Sequence, residues 1–148
     1  MVSPERTDNT NYFMKLFGEN IFYLTYFDGA DVDLDKIQEV LKNGFELHGE
    51  KPFYSIVDLR DNFASMNSEA KKFLANQELL NELRICEVIM VNNLAMKLIT
   101  KGYFKLFKAK WPLKVVTKDE ELIDFLKLHN AGDEDLQKIE KYLNGVKD

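Results

Sequence analysis

Apolar positions along this chain follow two rhythms, and the switches between them mark the elements. NYFMKLF (11–17) and NIFYLTYF (20–27) are dense in aromatic and β-branched residues and meet at Gly18–Glu19, which predicts a hairpin. Leu34, Ile37, Val40, Leu41, Phe45 and His48 then recur at spacings of three and four, which predicts a helix capped by Asp33. Gly44 and Gly49 are expected to fray or end it before Pro52. PFYSIVDL (52–59) is apolar on both faces, as an internal strand covered by helices would be. The polar stretch RDNFASMN (60–67) leads into a second helix over 68–83, with Phe73, Leu74, Leu80 and Leu83 inward. RICEVIMV (84–91) is a second internal strand. Asn92 or Asn93 caps a third helix reaching about Lys108, and PLKVV (112–116) is a short strand. Thr117 and Glu120 have the spacing of a capping box for a fourth helix, with Leu122, Phe125 and Leu126 buried. Asp133 opens a last helix with Leu136, Ile139 and Leu143 inward and Gly145 as its stop.

The predicted order is ββαβαβαβαα, so the expected fold class is α/β, with a mainly parallel five-stranded sheet. Right-handed crossovers lay its strands out in succession, and the hairpin makes the first an antiparallel edge. Residues 1–10 are expected as a loose tail and 11–148 as one domain. The hairpin carries more aromatic surface, from Tyr12 to Phe27, than one face of an edge hairpin buries. The surplus is available for a dimer interface or for a pocket that takes an apolar ligand.

Composition narrows the class. In 148 residues, 45% are hydrophobic and 30% charged, a soluble globular balance rather than a disordered one. The one cysteine, Cys86, excludes an intramolecular disulfide and sits in an apolar run, as a buried thiol would. No apolar run approaches the ~20 residues that span a bilayer, and MVSPERTDNT has no apolar signal core, so a cytoplasmic protein is expected. The net charge of −5 is unevenly spread: residues 93–118 hold seven lysines and no acid. The other 13 basic and 25 acidic residues give the remainder a balance of −12.

The polar loop and the helix after it hold the candidate chemistry. Asp58, Arg60 and Asp61 stand at the carboxyl end of a strand, where ligands of open α/β sheets bind; carboxylates there more often just satisfy loop amides. Ser65 and Ser68 sit at or near the next helix's start with Asn67 and Glu69. Asn67 or Ser68 would cap that helix. A phosphate on a serine there would meet free N–H groups and the positive end of the helix dipole.

With Asp58 ending its strand and Asn67-Ser68-Glu69-Ala70 opening a helix, the chain resembles the STAS domain, the fold of bacterial anti-sigma-factor antagonists. It is most similar to small stand-alone STAS/SEC14-type bacterial proteins, over nearly the whole chain after residue 10 and at the level of topology. In the antagonists an Asp-Ser-Ser-Gly type sequence opens that helix, and its second position is a phosphorylatable serine. Allowing a one-residue adjustment, Asn67 lies where the family has Asp and Ser68 where it has the acceptor serine, while the second Ser and the Gly are missing. The resemblance implies a non-enzymatic, protein-binding regulatory module, with the loop Asp58, Arg60, Asp61, Asn67 and Glu69 as its contact surface. Lipid-binding relatives of the fold imply an alternative, an apolar or lipid-like ligand.

Lys97, Lys101, Lys105 and Lys108 follow spacings of four, four and three and form one stripe on the third helix. It is either a solvated face or a contact for an acidic protein, a second copy or anionic headgroups. Nucleic acid is not expected, since the chain is acidic and the stripe has no arginine. His48 and His129 are each expected near a helix C-terminus, where a cation is favourable. They are not spaced as a metal pair. Without a Gly-rich phosphate loop or nucleophile elbow, no catalytic residue, metal site or cofactor is expected.

Overall fold

Gly18 turns the chain with a φ of 62°, and β1 (Tyr12–Phe17) and β2 (Ile21–Tyr26) pair antiparallel on either side. This computed structural model describes residues 12–27, 30–60, 64–107 and 110–145. The tail expected over residues 1–10, Asp61 and Lys108 lie outside the described residues. A Cβ at Gly18 would collide with the Asp135 carboxylate, which also accepts the Glu19 backbone N–H (3.3 Å). Glycine is therefore needed here for its backbone conformation and for the close approach.

After the hairpin come β3 (Ala30–Val32), α1 (Leu34–His48), β4 (Phe53–Asp58), β5 (Ala64–Met66), α2 (Ser68–Ala75) and α3 (Glu78–Leu83). The chain continues through β6 (Arg84–Met90), α4 (Leu94–Phe107), β7 (Leu113–Val116), α5 (Asp119–Leu128) and α6 (Asp133–Leu143). The fold is α/β. Its main sheet has the order β1-β2-β4-β6-β7, with β1 antiparallel and the remaining pairs parallel. The five expected strands and their succession are all present.

Local chemistry explains the helix boundaries. The Asp33 side chain accepts the Lys36 N–H (2.9 Å) at the start of α1, and Gly49, at φ 66°, donates to the Phe45 carbonyl at its end. Gly44 does not fray the helix: it lies inside α1, where the Phe22 ring packs against the space a Cβ would take. Asn93 caps α4 by accepting the Met96 N–H.

Three departures from expectation have local causes. The stretch around Ala30, and the loop 60–67 in part, form a second sheet in which β3 and β5 pair in parallel. Three-residue strands are too short to declare a period. The single helix expected over 68–83 breaks at Asn76–Gln77, where the Gln77 backbone turns extended and its side chain donates to the Phe73 carbonyl. Lys118, not Thr117, is the N-cap of α5; Thr117 donates its N–H and hydroxyl to Glu121 rather than pairing with Glu120. α6 begins at Asp133, as expected, with Gly132 as its N-cap.

Helices cover both faces of the sheet. Under α5 and α6 lie Phe13, Phe17, Ile56, Val88, Leu122 and Ile139. On the opposite face α1, α2 and α3 cover Met14, Phe22, Leu24, Ile37 and Leu80. A smaller cluster of Ile89, Val91 and Val115 packs with Met96 and Phe104 of α4. The hairpin is thus buried on both faces: Tyr12, Phe13, Phe17, Phe22, Tyr23 and Tyr26 are all interior. Phe27, at the end of the run, is half-buried. Cys86 is fully buried, and desolvation pushes its thiol up to about 12.

Candidate functional site

The strand-end residues come together first. The Asp58 carboxylate, at the end of β4, accepts from the Tyr23 hydroxyl (2.7 Å) and from the Arg60 backbone N–H, Nε and Nη2 (3.0 Å each). The other arm of Arg60 donates to Asp119 at the start of α5 (2.7 Å). Burial opposes the charge on Arg60, but its bonds to Asp58 and Asp119 outweigh that and raise its pKa. Burial, and then the neighbouring Asp58, raise the pKa of Tyr23. The result is a clamp tying β2, β4 and α5, with the polar atoms of Arg60 and Asp58 committed to one another.

At the start of α2 the Asn67 side chain accepts the Ala70 N–H (2.9 Å), so Asn67 is the cap. Ser68 and Glu69 are exposed beside it. Ser65 donates to the Asp31 carboxylate across the small sheet (2.8 Å). In the lysine stripe, Lys97 reaches Glu121 (3.8 Å), while Lys101 and Lys105 are exposed. Leu94, Leu98 and Ile99 are more than 60% exposed on the same helix. Among the described residues no helix is long and apolar enough to cross a membrane.

The next feature was not anticipated at its location. A cavity of about 610 Å³ lies on the sheet face that α1, α2, α3 and α4 cover. Leu24, Tyr26, Val57 and Ile89 contribute from the sheet, and Ile37, Leu80 and Phe104 from the helices. Exposed Asn76 and Ile99 place its mouth between the α2–α3 junction and α4.

A polar cluster is set into this apolar wall. Glu87 is buried, and its carboxylate accepts from Trp111 Nε1 (3.0 Å), Arg84 Nη1 (3.3 Å) and Ser55 Oγ (3.4 Å). The Arg84 guanidinium lies 4.0 Å from the Trp111 ring. Arg84 Nε and His48 Nδ1 are buried without a hydrogen-bond partner among the described residues. His48 is stacked on Phe53, with ring centroids 4.1 Å apart, and burial lowers its pKa. It is therefore neutral near pH 7, not the helix-end cation expected from sequence. Burial, and then the negative charge of Glu87, raise the pKa of Tyr26.

Arg84 reaches this face through a register shift. It pairs with Phe53, but Cys86 already pairs with Tyr54, so Ile85 is an extra residue on β6. Simple alternation would put Arg84 with Cys86 and Val88, on the side away from Glu87. The bulge reverses Arg84 and sets it beside Glu87. The signal in the sequence was a charged pair inside an otherwise apolar internal strand. His129, for its part, offers its backbone carbonyl to the Tyr54 hydroxyl (2.7 Å).

No curated protein and no solved structure matches the chain. A family model described as a domain of unknown function, DUF7793, matches residues 14–130, a span that includes the main sheet but for the first two residues of β1, both charged clusters and the cavity floor. By that match the chain belongs to the DUF7793 family.

Proposed function

We propose that this protein binds a small apolar or lipid-like ligand in the cavity beneath α1, α2, α3 and α4, on a STAS-like scaffold. The succession of strands with one antiparallel edge supports the scaffold, and the cavity carries the function. Packed interiors hold few voids larger than a water molecule, and this one is about 610 Å³. Ligand sites typically enclose ~300–1,000 Å³ with apolar walls and a few placed polar groups. Burying about 300 Å² of apolar ligand surface is worth roughly 7 kcal/mol before the costs of association. The absence of an expected catalytic motif is compatible with a carrier or sensor rather than an enzyme.

The test is saturable binding of an apolar fluorescent reporter to the wild-type protein and to Val57→Phe, which places a ring in the cavity. The wild type is expected to bind, and the variant to keep its fold and lose affinity by about tenfold or more, near 1.4 kcal/mol. Equal binding by both would place the reporter elsewhere and contradict the proposal.

A second reading, contact with a regulatory protein partner, is favoured by one observation: Asn67 caps α2, which leaves the exposed Ser68 hydroxyl available for modification. On that reading Ser68→Asp changes the affinity for the partner while Ser68→Ala leaves the fold intact. A partner indifferent to Ser68→Asp removes it.

A further inference from the structure

α4 turns one side to the sheet and the cavity and leaves the other exposed. Met96, Thr100 and Phe104 recur at spacings of four on the inner side: Met96 and Phe104 pack against Val91 and Val115, and Thr100 and Phe104 line the cavity. On the outer side Leu94 and Leu98 are four apart, and so are Ala95 and Ile99. All four are exposed, the three large ones by more than 60%. Of the five large apolar side chains exposed among the described residues, three are thus gathered on this one helix. Lys97, Lys101 and Lys105 form a further row at the same spacing along the edge of that strip. Lys97 reaches Glu121, while Lys101 and Lys105 are exposed.

We propose that this outer face of α4 docks on an anionic lipid bilayer, with Leu94, Leu98 and Ile99 entering the headgroup boundary and the lysines meeting the lipid phosphates. A contiguous exposed apolar strip marks a contact, and its charged border decides with what. Interfaces between proteins are depleted in lysine and anchored by Trp, Tyr and Arg. The exposed residues described on this face include none of those three. Helices that lie in a bilayer interface combine aliphatic side chains with lysines, whose stems follow the apolar boundary while their ammonium groups reach the phosphates. Charge over the whole chain sets the orientation. Residues 93–118 carry seven lysines and no acid, and the other 13 basic and 25 acidic residues leave the remainder at −12. An anionic surface therefore attracts the α4 side and repels the rest. Ile99 and Lys110, both exposed, also line the cavity. Docking sets the cavity mouth against the bilayer, from which an apolar ligand can enter; this last step alone rests on the ligand-binding proposal.

The experiment is co-sedimentation of the full chain with vesicles of phosphatidylcholine alone and of phosphatidylcholine mixed with phosphatidylglycerol. The mixed vesicles are expected to be bound about tenfold or more tighter, an advantage lost at ~1 M salt, where charges are screened within about 3 Å. Lys101→Gln/Lys105→Gln should weaken binding to the mixed vesicles by about tenfold or more. Leu94→Gln/Leu98→Gln should do the same through lost apolar insertion. All four side chains are exposed, so both variants should melt with the wild type. Equal binding to neutral and mixed vesicles, binding to neither, or binding indifferent to either pair of substitutions would overturn the docking. So would a dimer that Leu94→Gln/Leu98→Gln dissociates in a protein that binds no vesicles, which would give the face to a second copy. None of the four residues lines the cavity, so both variants should keep the wild-type affinity for the apolar reporter. Vesicle binding by a protein that binds no reporter would remove the ligand-binding proposal and leave the docking standing; reporter binding without vesicle binding would do the reverse.

Discussion

Two clusters of charged side chains stand against the same sheet, one half-buried and one buried, and they differ in what they leave undone. At the carboxyl end of β4, Asp58 accepts four hydrogen bonds, and Arg60 spends its second arm on Asp119. In the cavity wall, Arg84 and Glu87 are bonded to each other, yet Arg84 Nε and the neighbouring His48 Nδ1 have no partner among the described residues. The first cluster holds strands and a helix together. The second lies in the wall of an apolar cavity and leaves two buried nitrogens unbonded. Desolvation is tolerated at the clamp because it is repaid within the chain.

The most severe way to break the contrast is to remove one member of the inner pair. Arg84→Met leaves the Glu87 carboxylate buried without its cation and should cost about 3–5 kcal/mol in urea unfolding, while Arg84→Met/Glu87→Met recovers most of the loss. A double variant no more stable than the single would show that the pair is not coupled. Next in size is the clamp. Asp58→Asn should destabilise by about 1.5–3 kcal/mol, the range for hydrogen bonds to charged groups, and should leave reporter affinity unchanged, since neither Asp58 nor Arg60 lines the cavity. A matching loss of affinity would merge the two regions into one site.

Smaller again is the effect at the helix start. Asn67→Ala removes the cap of α2 and should cost about 1 kcal/mol; Ser68→Ala should stay within about 0.5 kcal/mol. The reverse order would make Ser68 the cap. The gentlest probe is pH. His48 is held neutral by burial, with its folded pKa below the ordinary 6.5. Above pH 6.5 the group is neutral in both folded and unfolded chains and contributes no pH dependence. As the pH falls through 6.5 the unfolded chain takes up a proton that the folded one resists, so stability declines toward the lower folded value. His48→Phe should flatten that part of the stability profile.

Sequence patterns revealed much of the scaffold and little of the site. The strands containing Phe22, Ile56 and Val88 were legible because long apolar runs with β-prone residues leave few alternatives. Asp33 and Asn93 were legible as caps because short polar side chains before an apolar periodic run have one common use. The strand at Ala30 was not, since three residues cannot show a period. Nor was the break at Asn76, which depends on side-chain bonds to the last turn of α2. The aromatic hairpin hinted at an apolar pocket, through Phe22 and Tyr26, without locating it. Arg84 and Glu87 escaped because their meeting depends on the bulge at Ile85, which appears only when β6 is registered against β4. Trp111 escaped because its partner, Glu87, lies 24 residues away in the chain.

The most direct test is the native mass spectrum of the protein isolated gently from its own cells, with analysis of the organic extract. The account predicts a species heavier than the polypeptide that converts to the bare chain on denaturation and releases an apolar molecule. A bare chain at the polypeptide mass, whose melting temperature no apolar compound raises, would contradict it.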